Sequence, residues 1–153
     1  MRYAVELGGE RFSMESTQGL FSPERADAGT LAMLSVVTLE PEQRVLDLGC
    51  GCGLVGIYAA RRCGAHNVWM TDIDSKAVEY ARRNAQANGA EGVHISCGDA
   101  FEAVEASEFD WILTNAREVF GLTARNRINK GFPGHTPLFL CPEIRAVRHR
   151  MAA

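Results

Sequence analysis

The fold of this chain is decided by the stretch Arg44-Val45-Leu46-Asp47-Leu48-Gly49-Cys50-Gly51-Cys52-Gly53. Its first half predicts a buried strand that ends in an acid, and its second half predicts a glycine-rich turn. Residues 54–63 then predict a helix whose N-terminus faces whatever the turn binds. Because Gly49, Gly51 and Gly53 carry no Cβ, the backbone can turn sharply and approach a ligand closely. This order of features is typical of a nucleotide-like cofactor at the carboxyl end of a parallel sheet.

Two acids narrow the choice of cofactor. The spacing from Gly51 to Gly56 also satisfies the dinucleotide pattern G-x-G-x-x-G, so the glycines alone do not decide it. Asp47 would repel a pyrophosphate, but it suits the cationic amine of S-adenosylmethionine, where a charge-assisted hydrogen bond contributes about 1.5–3 kcal/mol. Asp72 follows a second predicted strand and suits either cofactor, since it can accept from both ribose hydroxyls. The sequence therefore favours S-adenosylmethionine over a nicotinamide dinucleotide.

The length and composition indicate one globular domain in the cytoplasm. The chain has 153 residues, of which 46% are hydrophobic, and no apolar run approaches the roughly 20 residues needed to span a bilayer. Its N-terminus lacks the layout of a signal peptide. The five cysteines form no paired framework, which predicts reduced thiols in the cytoplasm. Cys50 and Cys52 have no second Cys/His pair at ligand spacing, so we expect small filler residues and no metal site.

Strands and helices alternate through the first three quarters of the chain. The predicted elements are a hairpin (3–7 and 11–15), a helix (30–39), strand 44–48, helix 54–63, strand 67–71, helix 75–88, strand 92–96, a short helix near 100–106 and strand 109–114. Right-handed crossovers between such strands give a parallel sheet. The predicted fold is therefore α/β: a Rossmann-like, doubly wound, mainly parallel sheet with an N-terminal hairpin.

Several motifs together resemble the class I S-adenosylmethionine-dependent methyltransferases, and more closely the "methyltransferase small" group, which includes ribosomal RNA guanine-amine methyltransferases. The matching segments are Leu20-Phe21-Ser22-Pro23, the stretch from Asp47 to Gly53, Thr71-Asp72-Ile73-Asp74, Gly98-Asp99-Ala100 and Phe109-Asp110-Trp111-Ile112-Leu113-Thr114-Asn115. The resemblance covers residues 19–115.

The resemblance implies a role for each matching position. Phe21 and Ser22 would belong to an entry loop that closes over the cofactor. The other implied cofactor-binding residues are Asp47, Gly49, Gly51, Gly53, Asp72, Ile73, Asp99 and Ala100. Asn115 would be the catalytic residue that orients the target amine, and the substrate would be an exocyclic amine of RNA.

The chain departs from the family after Asn115. The family continues Asn-Pro-Pro-aromatic, whereas Ala116-Arg117-Glu118 stands here. Residues 1–115 carry 9 Lys/Arg and 17 Asp/Glu, but residues 116–153 carry 7 and 2. We therefore divide the chain into a cofactor-binding domain (1–115) and an atypical basic tail (116–153), which is either a frameshifted or truncated end or a natural variant.

The tail also shapes the expected sheet. It predicts only a short strand at 138–140 and a basic helix at 142–151, so the sheet is expected to stop after its fourth core strand. The apolar edge at 111–113 would then be exposed and could form a homodimer. Two functions remain open: methyl transfer to RNA, and cofactor or RNA/protein binding without transfer.

Overall fold

A computed structural model describes residues 1–20, 28–98, 109–114, 138–141 and 144–147 of the chain. Its elements, in chain order, are β1 (Arg2–Leu7), β2 (Glu10–Glu15), α1 (Ala28–Val36), β3 (Val45–Leu48), α2 (Leu54–Cys63), a 3-10 turn (Ala65–Asn67), β4 (Val68–Asp72), α3 (Ser75–Ala87), β5 (His94–Cys97), β6 (Trp111–Thr114), β7 (Leu138–Cys141) and β8 (Ile144–Val147). Within those ranges, no helix has the length and apolar composition needed to cross a membrane.

The main sheet has six strands in the order β5-β4-β3-β6-β7-β8. All neighbouring pairs are parallel except β7 and β8, which run antiparallel. Strands β1 and β2 form a separate antiparallel hairpin. The predicted α/β class, with a mainly parallel Rossmann-like sheet and an N-terminal hairpin, is confirmed.

The helices predicted at 54–63 and 75–88 are confirmed as α2 and α3, and their ends have local causes. The helix predicted at 30–39 is α1, which runs from Ala28 to Val36. Helix α2 occupies the predicted residues; it begins after Gly53, whose φ is +96°, and ends before Gly64. Helix α3 begins after Asp74, whose side chain accepts a hydrogen bond from the Lys76 amide at 2.9 Å. The helix predicted near 100–106 lies outside the described residues.

The sheet does not stop at its fourth core strand, which corrects the expectation from the tail. Strand β7 pairs with β6, and Trp111, Ile112 and Leu113 all have backbone partners on it. Residues 111–113 are therefore not a free edge, and the homodimer predicted through that edge loses its basis. The strand predicted at 138–140 is confirmed.

The helix predicted at 142–151 is wrong over the part that the structure describes, because 144–147 form strand β8. Ile144 and Val147 are three residues apart, which fits a helix. Only two residues separate β8 from β7, and Cys141 pairs with Ile144 across that connection. Antiparallel pairing with an adjacent strand overrides a weak local preference of this kind.

The hairpin packs against helices α2 and α3 rather than joining the sheet. Phe12, which is fully buried, and Met14 lie in the same core cluster as residues of α2, α3, β3 and β4. Arg61 from α2 covers the Phe12 ring at 4.0 Å and donates a hydrogen bond to the Arg11 carbonyl at 3.0 Å. The hairpin therefore forms an outer layer over α2, which leads out of the glycine turn, and over α3.

Candidate cofactor-binding site

The glycine turn connects the end of β3 to the start of α2 and lies against the end of β4. The amides of Gly49 and Cys50 both donate to the Thr71 carbonyl, each at 2.9 Å. Gly51 has a φ of +55°, a conformation that residues with a Cβ rarely adopt. A Cβ built on Gly51 would meet no other atom within 4 Å, so this part of the turn borders open space. The turn thus forms a backbone cradle at the carboxyl edge of the sheet.

Asp72 at the end of β4 is joined directly to this cradle. Its Oδ2 accepts a hydrogen bond from the Gly51 amide at 2.9 Å, and its Oδ1 accepts one from the Asp74 amide at 2.9 Å. Each carboxylate oxygen has two lone pairs, so each retains one acceptor position. The structure therefore brings together the second acid and the glycine turn that the sequence had placed about 20 residues apart.

Asp47 lies beneath the turn and is buried, with 3% of its surface exposed. Its Oδ2 accepts a hydrogen bond from the Gly56 amide in the first turns of α2, at 2.9 Å. Burial raises the pKa of Asp47 to about 7; the Gly56 hydrogen bond opposes this shift, and the charge of Asp72 adds to it. One oxygen of Asp47 is thus occupied by the protein itself, and the group titrates near neutral pH.

Gly56 allows this arrangement because α2 passes very close to β4. A Cβ at Gly56 would lie 2.0 Å from the Met70 sulfur and 3.2 Å from Asp47 Oδ2. The last glycine of the G-x-G-x-x-G spacing therefore serves helix–strand packing and leaves its amide free to reach Asp47.

Of the remaining predicted site residues, Ile73 lies in the described part of the chain and five others lie outside it. Ile73 directly follows Asp72 and is 67% exposed, the largest exposure among the described large hydrophobic side chains. Next to it, the Gly98 amide donates to the Asp72 carbonyl at 2.9 Å, so the end of β5 lies beside Asp72. The predicted residues Phe21, Ser22, Asp99, Ala100 and Asn115 lie outside the described residues.

The two cysteines of the turn behave as packed thiols. Cys50 is buried, and burial raises its pKa well above the usual value for a thiol; burial also raises the pKa of Cys52. The Cys52 sulfur lies 3.5 Å from the Tyr3 hydroxyl of β1. In the part of the chain that the structure describes, no three His, Cys, Asp or Glu residues are grouped so that they could hold a metal ion.

Sequence reasoning missed one residue that contacts the turn, Asn84 of α3. It is 1% exposed, and its Nδ2 donates to the Cys52 carbonyl at 2.8 Å. The signal that could have found it is its position on the same helix face as Ala77, Ala81 and Ala85. A polar residue on an apolar helix face needs hydrogen-bond partners within the fold.

Comparison with known proteins gives a family and a fold. The family model described as "methyltransferase small domain" matches residues 11–125. The ribosomal RNA small subunit methyltransferase C of Haemophilus influenzae (strain PittGG) is 35% identical over 106 residues, which are 69% of this chain and 32% of that protein. This chain thus spans about a third of the length of that curated relative.

Two solved structures are similar. An RNA methyltransferase from Salinibacter ruber, in complex with S-adenosyl-L-homocysteine, has 28% identity and a TM-score of 0.62, covering 72% of this chain and 71% of that one. A T. thermophilus 16S rRNA N2 methyltransferase, in complex with AdoMet and guanosine, has 22% identity and a TM-score of 0.70, covering 92% of this chain and 41% of that one. The second likeness supports the fold alone.

We predict that Asp47 makes the protein less stable as the pH rises from about 4 to 7. The unfolded carboxyl titrates near its usual pKa of about 4, whereas the folded one titrates near 7, so the folded state holds the extra proton between these values. The free energy of unfolding should fall by up to about 4 kcal/mol relative to Asp47→Asn, which keeps the acceptor for Gly56. Denaturant titrations of both proteins at pH 4.5, 6 and 7.5 measure the difference. A difference that does not change with pH would show that Asp47 is ionised throughout.

Proposed function

Because this chain belongs to the methyltransferase small domain family, we propose that it is an S-adenosylmethionine-dependent methyltransferase. We propose further that it acts on an exocyclic amine of RNA, with ribosomal RNA guanine as the substrate and the cytoplasm as the place of action. The relative from Haemophilus influenzae, which is named for ribosomal RNA methylation, supports this choice of substrate.

The observation that carries the proposal is the hydrogen bond between the Gly51 amide and Asp72 Oδ2. It holds the Asp72 carboxylate at the rim of a backbone cradle that is open at Gly51, and this supports Asp72 as the acid that would bind the ribose. The remaining acceptor positions of Asp72 suit two ribose hydroxyls. The exposed Ile73 next to it offers an apolar surface for a flat base.

The acids around the turn fit S-adenosylmethionine better than a dinucleotide. Asp47 and Asp72 are close enough that the charge of Asp72 contributes to the raised pKa of Asp47. A pyrophosphate would add two negative charges beside them, whereas an amine and a sulfonium would add positive ones. A cationic ligand would favour the ionised form of Asp47 and so release its proton near neutral pH. The residues present thus fit the proposed cofactor.

The chain's part in catalysis would be to bind and align. When bound, S-adenosylmethionine supplies a methyl group on a sulfonium whose leaving group is a neutral sulfide. Asp72 and the glycine turn would fix the nucleoside end, and Asn115, by resemblance to the family, would orient the target amine. Alignment of this kind lowers the barrier by proximity, and the amine proton passes to solvent after the N–C bond has formed.

A second candidate function is cofactor binding without methyl transfer. It is favoured by the sequence after Asn115, where Ala116-Arg117-Glu118 replaces the two prolines and the aromatic residue of the family. Both candidates require the same cofactor site, so they differ only in whether transfer occurs.

A methyl-transfer assay tests the proposal directly. The protein is incubated with methyl-labelled S-adenosylmethionine and small-subunit ribosomal RNA, and the RNA is digested and analysed for methylguanosine. We expect label on the exocyclic amine of guanine and a loss of at least about tenfold in kcat for Asn115→Ala, with cofactor affinity unchanged. Cofactor binding with no transfer to RNA would instead establish the second candidate.

Asp72→Ala should weaken S-adenosylmethionine binding by about ten- to a hundredfold, because charged hydrogen bonds to the ribose are lost. The matched control is Asp74→Ala. Asp74 is two residues away and also acidic, but its side chain caps α3 through Lys76. We expect the control to lose about 1 kcal/mol of stability and to keep its affinity. Calorimetric titration measures both, and equal affinities for Asp72→Ala and the wild type would remove the ribose assignment.

Gly51→Val should abolish measurable cofactor binding. Its side chain would project into the open space at the turn, at a positive φ that a β-branched residue rarely adopts. Gly89→Val is the control, since Gly89 has a φ of +70° and equally open surroundings at the end of α3. Both variants should lose about 1–2 kcal/mol of stability, but only Gly51→Val should lose the ligand. Binding by Gly51→Val at wild-type strength would mean that the turn does not line the pocket.

A further inference from the structure

The buried face of α3 includes one amide side chain, that of Asn84. Its Oδ1 accepts a hydrogen bond from the Glu15 amide at 2.7 Å, and its Nδ2 donates to the Glu15 carbonyl at 2.8 Å. The second hydrogen of the same Nδ2 goes to the Cys52 carbonyl at 2.8 Å. One buried side chain thus links the N-terminal hairpin to the glycine turn.

Asn88, one helical turn further on, makes the same contact with the hairpin. Its Oδ1 accepts from the Ser13 amide at 3.0 Å, and its Nδ2 donates to the Ser13 carbonyl at 2.8 Å. Four residues of helix rise about 6 Å, and two residues of strand rise about 6.8 Å, so the two amides match alternate residues of β2. Together they take the place of a neighbouring strand along the edge of β2.

The two asparagines differ in their second donor hydrogen. Asn88 uses it on the Asn84 carbonyl of its own helix, at 2.8 Å. Asn84 uses it on Cys52, which lies between Gly51 and Gly53 in the turn. The hairpin contacts Cys52 from its other strand as well, because the Tyr3 hydroxyl lies 3.5 Å from the Cys52 sulfur. Cys52 is thus contacted at its carbonyl by Asn84 and at its side chain by β1.

We propose that Asn84 is a positioning residue for the glycine turn. Asn84 couples the docking of the N-terminal hairpin to the geometry of residues 51–53. The Cys52 carbonyl belongs to the Cys52–Gly53 peptide, two peptide units beyond the Gly51 amide that Asp72 holds. Loss of the Asn84 contact removes the hydrogen bond at the carbonyl end of this peptide and leaves the one at its other end, where the Gly53 amide donates to the Cys50 carbonyl at 2.9 Å. The cradle is thereby loosened. The identity of the ligand in this inference rests on the proposed function; the coupling itself does not.

The experiment compares Asn84→Ala with Asn88→Ala. Both changes remove two hydrogen bonds to β2, but only the first removes the contact with the turn. In the ligand-free protein, amide hydrogen exchange of residues 50–54 should speed up at least fivefold in Asn84→Ala and stay within twofold of the wild type in Asn88→Ala. Exchange in β2 should speed up in both variants. Should Asn84→Ala fail to fold, Asn84→Ser takes its place, since its hydroxyl can still donate one hydrogen bond.

Binding of S-adenosylmethionine is the second measurement. We expect Kd, and KM in the methyl-transfer assay, to rise about tenfold in Asn84→Ala with kcat at saturating cofactor unchanged, and neither to change in Asn88→Ala. Equal effects of the two variants on exchange in the turn would overturn the inference, because Asn84 would then act only through general stability. A wild-type protein that does not bind the cofactor would overturn the proposed function, while the exchange result would still decide the coupling.

Discussion

The hydrogen bond from the Gly51 amide to Asp72 is the contact on which the site depends. It joins the turn after β3 to the end of β4, and it exists only because the two strands are parallel neighbours in one register. The amides of Gly49 and Cys50, which come just before Gly51 in the turn, both donate to the carbonyl of Thr71 in β4. A shift of one residue between β3 and β4 would turn the acid to the other face of the sheet. Core packing that sets the register therefore also sets the site.

The electrostatics of the site follow from the same geometry. Within the described ranges, neither Asp47 nor Asp72 takes part in an ion pair. Two carboxylates in neighbouring strands, one of them buried, create a region of negative potential at the turn. Burial of Asp47 without a cation is unfavourable to the ionised form, and its pKa near 7 expresses that cost. A site of this kind discriminates between ligands by charge before any detail of their shape is recognised.

Sequence patterns predicted the parts of the fold that depend on local signals. Helix α2 has the predicted ends because glycines stand at both of them, and α3 begins after an acid that caps it. In the tail, the strand predicted at 138–140 is confirmed, but a helix over 144–147 is wrong. Ile144 and Val147 have helical spacing, and pairing with β7 makes these residues a strand. For the site, the acids and the glycines were recognisable from their order along the chain. The hydrogen bond that Asp47 accepts from the Gly56 amide could not be predicted from the sequence, because it depends on how closely α2 approaches Met70.

The role of Asn84 shows why contacts between residues far apart in the chain cannot be predicted from sequence patterns. The pattern of α3 indicates which face is buried, but Glu15 and Cys52 are 69 and 32 residues away along the chain. In the fold, Asn84 makes hydrogen bonds both to the edge of β2 and to the glycine turn. Loosening the hairpin and loosening the turn are therefore linked, because each leaves a buried amide with an unmade hydrogen bond. Linkage requires that whatever binds and orders the turn also stabilises the docked hairpin, and that whatever holds the hairpin in place prepares the turn for its ligand.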